Sequence, residues 1–170
     1  MYATISNLLN KFFKPSTIFQ KGFNLSPMYR RSTGRIIETS DDLLNVKVKI
    51  PISYKNKNYV GSIFGGSLFS ATDPILMIQL MQILGDKYVV WDKSANIKFK
   101  RPAKENSYID FNLSEDEITS IKNQVKEEKE IDLVKEILIT NKEKTTVFAE
   151  VSKTIYIADK SYYKTKRKKK

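Results

Sequence analysis

The run Pro74-Ile-Leu-Met-Ile-Gln-Leu-Met-Gln-Ile-Leu-Gly85 is apolar on most faces of a helix. Such a helix cannot lie on a surface with one side in water; it must be wrapped, and a sheet is the element able to wrap it. The segments that follow have the right form. Lys87–Arg101 reads as a long strand, with Val89, Trp91, Ala95, Ile97 and Phe99 apolar and the even positions from Asp92 to Lys100 polar. Lys93 breaks that alternation, which predicts a bulge near Asp92–Lys93. Residues 107–113, Ile131–Thr140 and Thr145–Ala158 read as further strands, the last two joined by a turn at 141–144. Glu115–Glu128 carries Ile118, Ile121 and Val125 at helical spacing and reads as a surface helix. Arg35–Thr39 and Leu44–Ile50 are two strands split by the Ser40-Asp41-Asp42 turn. The pattern is α+β, one long apolar helix and a set of antiparallel strands.

The expected organisation is residues 1–34 as an N-terminal helix and connector, 35–160 as one domain, and 161–170 as a basic, disordered tail. Residues 3–14 read as a helix ended by Pro15, and 15–34 as a Ser/Pro/Gly-punctuated connector. At 170 residues, with 41% hydrophobic content, the chain is one domain's worth with a real core.

Two absences bound the chemistry. The chain has no cysteine and no histidine. Thiolate nucleophiles, disulfides, Ser-His-Asp catalysis and His- or Cys-ligated metals are excluded. Acid–base work falls to carboxylates, Lys or Tyr. No metal site and no cofactor are expected.

Ahead of the apolar run stands Asn58-Tyr-Val-Gly-Ser-Ile-Phe-Gly-Gly-Ser-Leu-Phe-Ser-Ala-Thr-Asp73. A Gly65-Gly66 pair at a helix start leaves backbone N–H groups free at the positive end of the helix dipole, where they can hold an oxyanion. Asp73 lies about two turns past Gly66, so an unbroken helix returns it to nearly the same face. Asp73 is followed by Pro74, which leaves two geometries open. The helix starts near Gly66 and kinks at Pro74, or it starts at Pro74 with Asp73 as its N-cap. Asn58 either orients water or a carbonyl or closes an Asx turn in its own loop. Asp92 and Lys93 read as an ion pair.

This segment resembles the hotdog-fold thioesterases of the phenylacetate-pathway type. Their pattern is Asn, a glycine three residues on, His-Gly-Gly, then Asp nine past the His. Asn58, Gly61, Gly65, Gly66 and Asp73 match it, and Phe64 stands in place of the His. With Val89-Val-Trp-Asp-Lys93 and Phe99-Lys-Arg-Pro-Ala103, the string is similar to one branch, the domain family labelled tetrameric acyl-CoA thioesterase. The resemblance covers about residues 8 to 160.

It implies a hotdog fold, a curved antiparallel sheet around a central helix. It also implies acyl-CoA thioester hydrolysis, with Asp73 activating water or acting as nucleophile, the Gly65 and Gly66 amides as oxyanion donors and Asn58 positioning the reactants. Gly61, Phe64 and Ser67 would line the substrate site, and Lys98, Lys100 and Arg101 would meet the coenzyme A phosphates. A homodimer or tetramer is implied, because such sites form across a two-fold interface. The alternative is a non-catalytic hotdog that binds acyl-CoA or another acyl ligand, Phe64 closing the side where the His would stand.

The net charge is +11, and residues 164–170 hold six of those charges. Such a tail can bind nucleic acid or an anionic membrane, although a solvated tail is the simpler reading. Gln79 and Gln82 interrupt the apolar run, so no transmembrane helix is expected. The basic, acid-free stretch 1–37 overlaps in composition with organelle transit peptides, but a short amphipathic helix packed on the domain or a partner subunit is preferred, with a cytoplasmic location.

Overall fold

The computed structural model describes residues 13–168. Six strands form one antiparallel sheet in the order β1-β2-β4-β5-β6-β3. They are β1 Arg35–Thr39, β2 Asn45–Ile50, β3 Tyr88–Phe99, β4 Ser107–Asn112, β5 Glu130–Thr140 and β6 Val147–Asp159. The helices are α1 Pro15–Leu25, α2 Pro27–Arg31, α3 Gly65–Ser70, α4 Ile75–Leu84, α5 Glu115–Glu128 and α6 Lys160–Lys168. One face of the sheet packs on α4, whose Ile75, Leu76, Leu80 and Leu84 are buried with Val48, Ile109, Ile139 and Ile155. Each such side chain contributes roughly 1.5–3 kcal/mol by leaving water. The expected wrapped helix is therefore found, in a hotdog fold.

Gln79, one of the two polar interruptions of the run, is fully buried. Its Nε2 donates to the carbonyls of Leu43 at 2.7 Å, Leu44 at 3.2 Å and Phe111 at 3.3 Å. The amide clamps α4 across the ends of β2 and β4 through these backbone carbonyls. By length and composition Gly65–Leu84 would suffice to cross a membrane, at a mean hydropathy of 1.3. Here it is the core helix, half of that window buried and the whole broken between Ser70 and Ile75.

Three expectations are corrected. Of the helix expected over 3–14, all but the last two residues lie outside the described residues; the connector 15–34 is itself helical. Pro15 and Pro27 open α1 and α2 within that stretch. At the first helical position the missing N–H is one that would go unused, and the fixed φ suits the helix. Phe19, Phe23 and Tyr29 then stack, with centroids 4.8 Å and 5.3 Å apart, onto the core.

The tail expected to be disordered is helical through Lys168. Asp159 caps α6, its Oδ1 accepting from the backbone N–H of Ser161 and Tyr162 at 2.9 Å each. Lys166 pairs with Glu130 at 2.5 Å, and the Tyr163 ring meets Tyr156. These contacts tie down a segment that composition alone would leave in water.

In β3 the bulge falls where expected, between Asp92 and Ser94. It shifts the phase, so that Val90 and Asp92 pair with Ile157 and Ile155 before it, and Ala95, Ile97 and Phe99 pair with Lys153, Val151 and Ala149 after it. Trp91 therefore points outward, 55% exposed, contrary to the uniform odd-position reading.

The two sheet edges differ. On β1, Asn24 from α1 both donates to the Ile36 carbonyl (2.8 Å) and accepts from its N–H (2.9 Å). The side-chain amide thus satisfies edge groups as a neighbouring strand would. On the outer side of β3, no strand pairs among the described residues.

Candidate functional site

The site segment begins with a closed loop. Gly61 adopts φ +79° and donates to the Asn58 carbonyl at 3.0 Å, closing a turn that a side chain at 61 would strain. The Asn58 Oδ1 accepts from Val60 and Ser62 N–H at 3.1 and 3.0 Å, and its Nδ2 donates to Ser62 Oγ. Of the two roles open to Asn58, the structure contains the Asx turn; its amide is engaged within its own loop.

Phe64 precedes α3 in extended conformation, its N–H bound to the Asn56 carbonyl at 2.7 Å. The Gly65 and Gly66 amides donate to no acceptor among the described residues. Two aromatic rings lie beside these glycines. A Cβ on Gly66 would lie 2.2 Å from the Phe64 ring, and one on Gly65 would lie 2.8 Å from Phe99. Glycine is required at both positions while those rings stay in place. Phe64 and Phe99 are 59% and 57% exposed, so the free donors have accessible apolar surface beside them. Ser67 is buried one residue further on.

Pro74 has no N–H to offer the Ser70 carbonyl, and the helix breaks. Tight turns replace it, with Thr72 N–H on the Phe69 carbonyl at 3.0 Å and Asp73 N–H on Ser70 at 3.3 Å. The Ala71 carbonyl, released from helical bonding, accepts from the buried Tyr29 hydroxyl at 3.0 Å. The helix thus starts at Gly65 and breaks before Ile75. Asp73 caps neither half, since α4 has no side-chain cap bond. The face shared by Gly66 and Asp73, expected for an unbroken helix, does not carry over, because the turn resets the helical phase.

Instead Asp73 reaches Lys153. Its Oδ1 lies 3.3 Å from the Lys153 Nζ, with the carboxylate side chain 61% exposed and the lysine side chain 1%. The same ammonium lies 2.9 Å from Asp92 Oδ1. The expected Asp92–Lys93 pair is not formed; Lys93 turns outward to Asp132. Burial pushes the Asp92 carboxyl above its ordinary value of 3.8, against the lowering pull of Lys153, and neighbouring Asp73 adds to the rise.

Sequence reasoning missed Lys153, although a signal was there. Ala149, Val151, Ile155 and Ile157 form one inward-facing series, and Lys153 occupies the position between them. A lysine on the apolar face of a strand is almost never buried without a partner.

Of the three cations expected at a coenzyme A phosphate, Lys100 is paired with Glu150 at 2.9 Å. Lys98 and Arg101 are exposed and form no ion pair among the described residues. The structure brings together Phe64, Gly65, Gly66 and Phe99 in one cluster, and Asp73, Asp92 and Lys153 in another.

Residues 16–157 match the model of a family described as a domain of unknown function, DUF4442. The chain belongs to that family. Solved structures extend the likeness in fold. PA5026 from Pseudomonas aeruginosa, a protein of unknown function named a probable thioesterase, superposes with a TM-score of 0.72 at 20% identity, over 85% of this chain and 96% of that one. Zebrafish thioesterase superfamily member 2 gives 0.55 at 16% identity, over 83% and 94%. Thioesterase HI1161 from Haemophilus influenzae gives 0.53 at 13% identity, over 94% and 91%. No sequence among the curated proteins matches this DUF4442 chain. These neighbours share its hotdog fold.

Proposed function

We propose that this DUF4442 protein hydrolyses an acyl thioester, with an acyl-CoA as substrate and Asp73 as the reacting carboxylate. The observation that carries the reading is the charge balance around Lys153. One buried ammonium faces two carboxylates. The half-buried Asp92 already answers the lysine, so the exposed Asp73 supplies a surplus negative charge held in a fixed place. A structural Asp in a turn usually accepts backbone N–H groups. Asp73 accepts none among the described residues and remains available to a substrate.

In the proposed reaction, Asp73 takes a proton from water as the oxygen attacks the thioester carbonyl. The Gly65 and Gly66 amides stabilise the oxyanion, the C–S bond breaks, and the proton passes to the thiolate, leaving a carboxylic acid and a thiol. Base and oxyanion donor each supply a factor of ~10²–10³. Phe64 and Phe99 provide apolar surface for an acyl chain, and Lys98 and Arg101 are available to phosphates. A second copy would seat on β3, whose outer edge is unpaired and carries the exposed Trp91 and Phe99.

The second reading is an acyl-ligand binding protein without turnover, favoured by the exposed Phe64 ring lying over Gly66. Release of free coenzyme A from short, medium, long and aromatic acyl-CoAs separates the two. Hydrolysis is expected to fall ~100-fold in Asp73→Asn with folding unchanged. Acyl-CoA binding by the wild type without turnover would replace hydrolysis with the binding role.

A further inference from the structure

A second charged feature lies where α2, the start of β1 and the turn after Pro51 meet. It is a cleft of about 470 Å³ that shares no lining residue with the Asp73 or Gly-Gly clusters. That volume is in the range of small-molecule sites. Arg30, Arg31, Arg35 and Lys55 line it, and no carboxylate does. Some surface cations elsewhere are answered, as in Lys14–Asp41, Lys47–Glu38 and Lys166–Glu130, while others, such as Lys98 and Arg101, are not. The four cleft cations form no ion pair among the described residues. Four converging positive charges repel one another, and an anion relieves that repulsion.

The cleft is also braced. Arg35 Nη1 donates to the Gly34 carbonyl at 2.7 Å, which holds the guanidinium stem in place. Thr33, on the cleft wall, has φ +67°, a left-handed conformation that is strained for a β-branched residue. Buried Asn56 holds it there, donating from Nδ2 to Thr33 Oγ1 at 2.7 Å. On the rim, the Tyr54 ring is 88% exposed, with Lys55 Nζ 5.7 Å from its centroid. An exposed aromatic beside a cationic cluster is a stacking platform for a planar ring next to phosphates.

We propose that this cleft binds a small molecule carrying two or more phosphates beside a planar ring, the chemistry of a nucleoside diphosphate. Two sources share that chemistry, a free nucleotide and the nucleotide end of coenzyme A; only the second rests on the thioester reading.

The test is calorimetric titration of the full-length protein with ADP, pyrophosphate and coenzyme A at one low ionic strength. Arg30→Gln/Arg31→Gln is expected to weaken ADP at least ~10-fold, and Lys55→Gln to weaken it in the same direction. The charge-matched Lys122→Gln/Lys126→Gln on α5 should change it less than ~2-fold. Tyr54→Ala should weaken ADP and leave pyrophosphate unchanged. Equal affinity for ADP and coenzyme A supports a free nucleotide. Tighter coenzyme A binding that the arginine substitutions abolish supports the substrate's own nucleotide. Neither depends on turnover, so loss of the hydrolase reading leaves this result standing. No ADP binding by the wild type, or equal losses in the two double variants, would overturn the proposal.

Discussion

Replacing Lys153 with Met tests the central electrostatic argument. Methionine keeps the length of the side chain and removes the ammonium, so packing changes little and charge changes by one unit. The lysine is 1% exposed, and its two carboxylates differ in exposure at 61% for Asp73 and 25% for Asp92. Asp73 can be hydrated once its partner is gone. Asp92, less exposed, is hydrated less and carries most of the cost. Removing one member of a buried pair costs about 3–5 kcal/mol; with one carboxylate only partly buried, about 2–4 kcal/mol is expected at pH 7. For a chain of this size that is a fall in melting temperature of roughly 5–15 °C.

The dependence on pH has a definite sign. The folded Asp92 carboxyl is already raised above its ordinary value, and losing Lys153 raises it further. A raised acid destabilises the fold as pH climbs above the unfolded value near 4, fully so above the folded one. The deficit of Lys153→Met should therefore shrink on acidification, and Lys153→Met/Asp92→Asn should recover most of it at pH 7. Thermal unfolding followed by circular dichroism between pH 4 and 8 reads all three. A Lys153→Met protein as stable as wild type at pH 7, or a deficit that Asp92→Asn does not relieve, would refute the reasoning.

Tyr29→Phe removes the hydroxyl that satisfies the buried Ala71 carbonyl at the helix break. A loss of about 1–2 kcal/mol in urea unfolding is expected, with no change in the denaturant slope. The tether of α6 should respond to acid. Hydrogen bonds from Lys166 and then Tyr156 hold the Glu130 carboxyl below its ordinary 4.5. That stabilisation is present above the unfolded value and is lost as pH falls through the lowered one. Protection from amide exchange over 160–168 should fall below about pH 4 before the sheet unfolds, and Glu130→Gln should bring this loss of protection to neutral pH.

Much of this protein was legible in the chain itself. The apolar run required a wrapped helix, the alternating segments identified all six strands, and Lys93 marked the bulge by breaking a period of two. Those features rest on local periodicity, and periodicity is written in sequence. The helices inside 15–34 were not legible, because Ser, Pro and Gly punctuate a connector and open a helix alike, and the packing of Phe19, Phe23 and Tyr29 decides for the helix. The clusters depended wholly on tertiary structure. Asp73 and Lys153 are 80 residues apart, and no local pattern pairs them. Their meeting requires the break at Pro74, the bulge that turns Asp92 inward and the register of β3 on β6. The sequence determined which residues could do acid–base work by excluding histidine and cysteine. Which carboxylate is buried and which is left facing water was decided by the folded chain, because desolvation and charge pairing act across space and not along the backbone.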